Sequence, residues 1–442
     1  MKSFLINFSV PKLNIIFFNI FIILMMFIYP LRFGKNENFL YLPLIGTIIL
    51  VCFCFMNFRS KFRLNKLDLA ILILFFWGIY IVAFSLVNIG FEQTFKGFRI
   101  YIFPILTYFI VRFLLHLSEE AALVSIVRAL ICSLLVVLFY NLYLTLSVTF
   151  WGYDYPDWFQ KMDRMESAAY WGKRSCGVFG DPHASGLITV IGGAFILFNV
   201  DRFFIFKCKS IKILVKTFTV LCILLSTYRT ALVVGFICLV FLSPYFLRLK
   251  TNLAMVFGGL IAYLLATYYS SFLVDDSIVS YLKLFTFWWT NSSGFDAASN
   301  YILFDSFRIL NLMIDQCPLA PITGIGFFSS NDNYNLVQFF RTNDQGWMNL
   351  LQIFGLVGLA VMCYIVGFIM NLAMRMKGHD SIYLVLACNF VVLISILANS
   401  HSDVLKTHGI IQVFFCCLAI LSYIHDCKID SSLGHNILKR IR

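Results

Sequence analysis

The sequence predicts an all-α polytopic membrane protein with about twelve transmembrane helices and two long outer loops that contain short helices. Three observations carry this. The chain is 60% hydrophobic and only 13% charged over 442 residues, about half the charge of a soluble domain, with a mean hydropathy of +0.86. Apolar runs long enough to cross a bilayer, ~20 residues each, recur along the whole length. Basic residues gather in short connections at every second run, as the positive-inside rule requires.

The spans fall at about 14–31, 39–56, 68–89, 100–116, 125–149, 184–200, 211–226, 230–247, 253–270, 346–370, 381–398 and 409–425. The first run is too long for a signal-peptide core and has no small-residue cleavage site, so it reads as a membrane helix. One basic cluster is Arg59, Lys61, Arg63 and Lys66, and another is Arg202, Lys207, Lys209 and Lys212. Arg248 with Lys250, Arg375 with Lys377, and Lys428, Lys439, Arg440 and Arg442 complete the set. With these clusters inside, both termini are cytoplasmic, as an even helix count requires. The same distribution accounts for the net charge of +12 without a nucleic-acid partner.

The whole chain, 1–442, reads as one integral membrane domain with two long outer loops, 151–183 and 271–345. The second holds Asp275, Asp276, Asp296, Asp305, Asp315, Asp332 and Asp344 against Lys283, Arg308 and Arg341. A structureless loop of that length is unusual, and apolar residues recur at helical spacing around 299–317, which predicts a short helix there. The short loop near Glu119 separates the fourth and fifth spans. No internal repeat is visible. The 13 cysteines are scattered and include no CxxC pair of zinc spacing, so neither metal nor cofactor is expected.

A few charges stand where apolar residues dominate. Arg229 lies in LLSTYRTALVV, at the outer turn between two spans, where a snorkelling arginine is the bland alternative. Arg308 lies in SFRILNLMIDQ, ahead of a proline break and of Gly324 and Gly326, which permit a sharp turn or close backbone approach. Arg174 lies in KRSCGVFGDPHASG, just before the sixth span. In that stretch Asp181 and Pro182 suit a helix start, Asp as cap and Pro at the first position, and His183 falls in the first turn. Asp344, with Asn343, precedes the tenth span and also suits a cap. Several arginines on one side of a membrane, with carboxylates nearby, suit a diphosphate. The planar guanidinium binds phosphate oxygens in a bidentate fork and stays charged at any pH. Such a group could hold a lipid diphosphate and stabilise it as a leaving group. A carboxylate or imidazole could take the proton from an attacking hydroxyl.

These stretches resemble the bacterial O-antigen polymerase and O-antigen ligase superfamily. STYRTALVVGF looks like its S-x-x-R-[ST]-A-x motif, and RSCGVFGDPHASG is similar to its R-x-x-G-x-F-x-[DE]-P-N stretch. The large loop ends as theirs does, with P-x-x-G-x-G from Pro321 to Gly326 and then DQGWMNLLQIFGLVGLA. Helix count, loop placement and length agree over the whole chain. The resemblance implies a metal-independent glycosyltransferase of the inner membrane, acting at the periplasmic face on undecaprenyl-diphosphate-linked oligosaccharide. Membrane lipids are its surroundings, and there is room for a chain-length regulator as partner. Arg229 and Arg308 match the arginines thought to contact the diphosphate. Ligases typically carry a histidine where this chain has Asp344, which favours the polymerase. The ligase stays as the alternative, and a lipid-linked oligosaccharide flippase is a third reading. The general base stays open among Asp344, Asp181 and His183. Cys176 and Cys317, the two cysteines of the outer loops, could form a disulfide in an oxidising periplasm.

Overall fold

The computed structural model describes residues 10–26, 42–56, 64–150, 177–179, 182–226, 231–232, 235, 310–311, 313–315, 318–327, 346–376, 382–398, 405 and 407–429. Among them the elements are α1 (Val10–Met26), α2 (Leu42–Met56), α3 (Lys66–Ile89), α4 (Phe91–Gly97), a π-turn (Phe98–Ile102), α5 (Ile105–Leu144) with a second π-turn (Thr145–Phe150), α6 (Pro182–Phe203), α7 (Lys209–Leu224), the single turn α8 (Ala320–Thr323), α9 (Gly346–Arg375), α10 (Ile382–Ala398) and α11 (Ile410–Ile429). No strand occurs among the described residues. The chain is an all-α, multi-pass membrane protein. Five described helical stretches are long and apolar enough to cross a bilayer: Lys66–Asn88, Phe91–Ser147, His183–Phe203, Gly346–Arg375 and Ile410–Cys427. Of the expected span 230–247, only 231, 232 and 235 are described, and 253–270 lies outside the described residues. The helix expected at 299–317 is seen at 310–311 and 313–315.

The stretch Phe91–Ser147, 57 residues, would be roughly 85 Å long if straight, nearly three hydrocarbon thicknesses. It reverses instead at Glu119, whose backbone leaves the helical region (φ 42°, ψ −119°). The packing shows the reversal. Ile105 sits with Leu405 and Ile411 at the start of α11, while Arg112 reaches Asp426 near its end. Residues 105–112 therefore run alongside α11 in the same direction. After Glu119, Arg128 donates to the Phe203 carbonyl at the end of α6 (3.1 Å), and Asn141 meets Ser185 and Thr189 at its start. This half of α5 thus runs antiparallel to α6. α6 and α11 are themselves parallel, because α10 is antiparallel to α6, with Arg202 over the Tyr383 ring at 5.0 Å, and returns to α11 through a short connection. The short loop expected near Glu119 is thus a one-residue break.

The core is a continuous apolar cluster from α1, α3, α5, α6, α9, α10 and α11, while Phe76, Phe84, Val87, Phe139 and Leu214 are exposed, as a lipid-facing surface requires. One end of the bundle carries Arg202, Lys207, Lys209 and Arg375. The same end holds a buried polar network. Asn65 caps α3 by accepting from the Leu67 and Asp68 amides (both 2.9 Å), and Asp68 accepts in return from the Asn65 amide (2.9 Å), a reciprocal capping box. Asp68 is fully buried and also accepts from Tyr108, from Arg112 Nε and Nη2 (2.9 Å each) and from Ser422 (3.2 Å). Arg112 Nη2 also donates to Asp426 (2.6 Å). This network clamps α3 to α5 and α11.

Candidate functional site

The other end of the bundle gathers the segments singled out in the sequence. The first is the turn Gly177–Phe179. Gly177 has φ 53°, a conformation that strains any residue with a Cβ, and a Cβ there would strike Asn141 and Ser185. Asn141 is buried and saturates the turn. Its Oδ1 accepts from the Val178 amide (2.9 Å), and its Nδ2 donates to the Ser185 carbonyl (3.2 Å) and Thr189 Oγ1 (3.1 Å). The Phe179 amide donates to Ser185 Oγ (3.3 Å). These bonds fix the backbone just ahead of α6, which opens at Pro182 as expected. His183 stands in its first turn, half-buried.

The second segment arrives at the end of α7. Ser226, three residues before Arg229, donates to the Gly186 carbonyl (3.5 Å). Asn141, Thr145, Ser185, Gly186, Thr189, Cys222 and Ser226 line a small cleft between α5, α6 and α7. The stretch containing Gly177–His183 and the stretch leading into Arg229 thus meet at the start of α6.

The third segment is the P-x-x-G-x-G stretch. Gly324 and Gly326 both take positive φ (79° and 87°), as the expected sharp turn requires. A Cβ at Gly324 would strike the Ile353 carbonyl, and one at Gly326 would strike the Ser85 hydroxyl. The Ile325 amide donates to the Gln352 carbonyl (2.6 Å), and the Phe327 amide donates to Ser85 Oγ at the end of α3 (2.9 Å). The Phe327 ring lies against Gly97 and stacks on Tyr101 (6.1 Å). The end of the large loop is thereby fixed to α3, α4 and α9.

Two further groups stand at this end: Arg99 in the π-turn and His408 before α11, 9% and 4% exposed. The neighbouring residue, Gly409, has φ 92° and faces the Phe179 ring, which joins the α10–α11 connection to the first segment. Burial, and then the Arg99 charge, pull the His408 imidazole down to about 4, so the ring is neutral at neutral pH. Arg99 had a legible signal: it stands at the end of its span away from the basic clusters, against the alternation that assigns basic residues to the other side. His408 had none, since only the fold buries it.

Of the expected site residues, His183 is described. Arg174, Asp181, Arg229, Arg308 and Asp344 lie outside the described residues, as do Cys176 and Cys317. No group of three or more metal-ligating side chains occurs among the described residues. The chain matches no protein-family model and no curated protein.

Proposed function

We propose that the chain is a glycosyltransferase of the bacterial inner membrane that polymerises O-antigen or a related surface polysaccharide. It moves a growing glycan from undecaprenyl diphosphate onto a new lipid-linked repeat unit at the periplasmic face. In this reading the bundle has twelve spans and cytoplasmic termini, and the end bearing His183 is the periplasmic one.

One observation carries the proposal. The described parts of the three stretches that resemble the polymerase and ligase superfamily lie far apart in sequence, at 177–179 with 182–186, at 226, 231–232 and 235, and at 321–326. The first two meet at the start of α6, and the third is fastened at the same end of the bundle, opposite the basic end. A transporter would be expected to carry its polar groups near the bilayer midplane and often to show internal repeats.

The chemistry needs no metal. Arg229 and Arg308 hold the diphosphate through charge-assisted bidentate bonds and stabilise the charge that develops as it leaves. The acceptor hydroxyl displaces it in one step, which inverts the sugar carbon, and Asp344, Asp181 or His183 takes the hydroxyl proton.

The glycan ladder of a deletion strain tests the reading. Lipopolysaccharide capped with a single repeat supports the polymerase. Core-only lipopolysaccharide with accumulated lipid-linked polymer replaces it with the ligase. Loss of both, with cytoplasmic lipid-linked units, points to a flippase.

A further inference from the structure

The cleft between α5, α6 and α7 is polar at a depth where the bilayer is not. α6 has 22 residues, about 33 Å, which matches the ~30 Å hydrocarbon core. Gly186 and Thr189 line the cleft and lie roughly 6 and 10 Å along α6 from its first residue. α7 gives a second measure. Lys216 pairs with Asp201 near the end of α6 (2.6 Å), and Ser226 bonds to the Gly186 carbonyl near its start. Lys216 and Ser226 are ten residues apart and so about 15 Å apart along the helix, half the hydrocarbon core. The snorkelling lysine stem makes up part of the difference. The rest falls at the end opposite the basic one, where the cleft is. Polar groups at that depth are tolerated where they line a water-filled cavity.

The walls decide what the cleft takes. Thr145 Oγ1 donates to the Asn141 carbonyl and Thr189 Oγ1 to the Ser185 carbonyl (2.8 Å each), and Ser226 Oγ donates to the Gly186 carbonyl (3.5 Å). Asn141 Nδ2 spends its hydrogens on the Ser185 carbonyl and Thr189 Oγ1. These donors are therefore used within the protein. A hydroxyl oxygen also has two lone pairs, and among the described residues nothing donates to Thr145 Oγ1 or Ser226 Oγ. These side chains thus offer acceptors and no free donor. They give a phosphate oxygen nothing to bond to and suit a small donor. The cleft leaves about 20 Å³ for the centre of a water-sized sphere. One water needs about 10–15 Å³ by that measure, with two or more polar partners.

We infer that the cleft is a hydration site within the membrane span, and that its water donates to Thr145 Oγ1 on α5 and to Ser226 Oγ at the end of α7. A bridging water of this kind is nearly as good as a direct hydrogen bond. It joins α5 to α7 across the first turns of α6, and so ties the stretch leading into Arg229 to the helix that follows Gly177–Phe179. The inference stands on the cleft alone and holds whatever reaction the chain performs.

Radiolytic footprinting of the full chain in lipid nanodiscs tests it. Hydroxyl radicals made from water by a short X-ray pulse oxidise the side chains beside that water, including buried ones. Cys222 lines the cleft and is 3% exposed. Cys388, Cys416 and Cys417 lie fully buried in the apolar core and serve as controls within the same molecule. Cys222 should be oxidised several-fold faster than these three. Equal rates overturn the inference, because the cleft is then dry. Thr145→Val combined with Ser226→Ala removes the two acceptors and should bring Cys222 down to the rate of the controls. A folded double variant in which Cys222 is oxidised as fast as in the wild type also overturns it, because the label then comes from open solvent and not from a water held by these groups. Where the double variant does not accumulate, Ser226→Ala alone takes its place and is read in the same way.

Discussion

Replacing Asp68 with Asn should destabilise the bundle more than any other single change at its basic end. The carboxylate is fully buried and accepts both prongs of the Arg112 fork at 2.9 Å, together with Tyr108, Ser422 and the Asn65 amide. Asn keeps the shape but removes the charge and turns one acceptor into a donor facing other donors. Arg112, itself 3% exposed, then loses its buried ionic partner and keeps the half-exposed Asp426. Breaking a buried pair on one side costs about 3–5 kcal/mol, which is two to more than three decades in the folding equilibrium. Asp426 is 33% exposed, so solvent screens its loss, and Asp426→Asn should cost about 1 kcal/mol. Thermal unfolding in detergent, followed with a thiol-reactive dye, reads this directly, because Cys388, Cys416 and Cys417 are buried and label on unfolding. Asp68→Asn should lower the midpoint by several degrees and Asp426→Asn by much less. Adding Arg112→Met to Asp68→Asn should recover most of the loss, since it removes the stranded charge. A midpoint for Asp68→Asn within ~1 °C of wild type, or no recovery in the double variant, would refute the assignment of the network as a clamp.

Arg229→Lys and Arg308→Lys keep the charge and lose the fork, so each should deplete long chains from the glycan ladder, and a normal ladder from both would remove the diphosphate role. Asp344→Asn can still cap a helix but cannot accept a proton. Full activity in that variant, measured on membranes with matched protein abundance, would reduce Asp344 to a cap. Gly355→Ala should lower abundance sharply on an immunoblot. Its φ is 61° and a Cβ there strikes the Ile322 carbonyl, so wild-type accumulation would contradict the packing. Reporter fusions after Lys250 and Lys377 should report cytoplasm, and a periplasmic signal from either would sink the twelve-span topology.

The fold class was legible because a membrane helix is dictated by one-dimensional composition, and α3, α6, α10 and α11 lie where apolar runs required them. The capping box at Asn65 and Asp68 is a local N-x-x-D pattern and could have been read from the sequence. Its extension to Arg112 and Asp426 could not, because partner choice across 44 and 314 residues depends on how the helices pack. The same limit hid His408, whose burial is a property of three elements meeting. The stretch 90–99, expected only to connect two spans, instead holds a short helix and the start of a π-turn carrying the buried Arg99. Gly324 and Gly326 were readable as turn glycines, but the surface they press against was not.

Phe327 and Gly346 are the two posts of a ring. The first is fastened to Ser85 and Gly97 and the second opens α9, whose backbone holds the approach to the first post through Ile325 and Gln352. Whatever lies in 328–345 therefore leaves and returns at fixed points. Lengthening the segment costs little, about 0.6 kcal/mol per doubling, and moves neither post. Insertions between 328 and about 340 would thus leave the membrane bundle untouched.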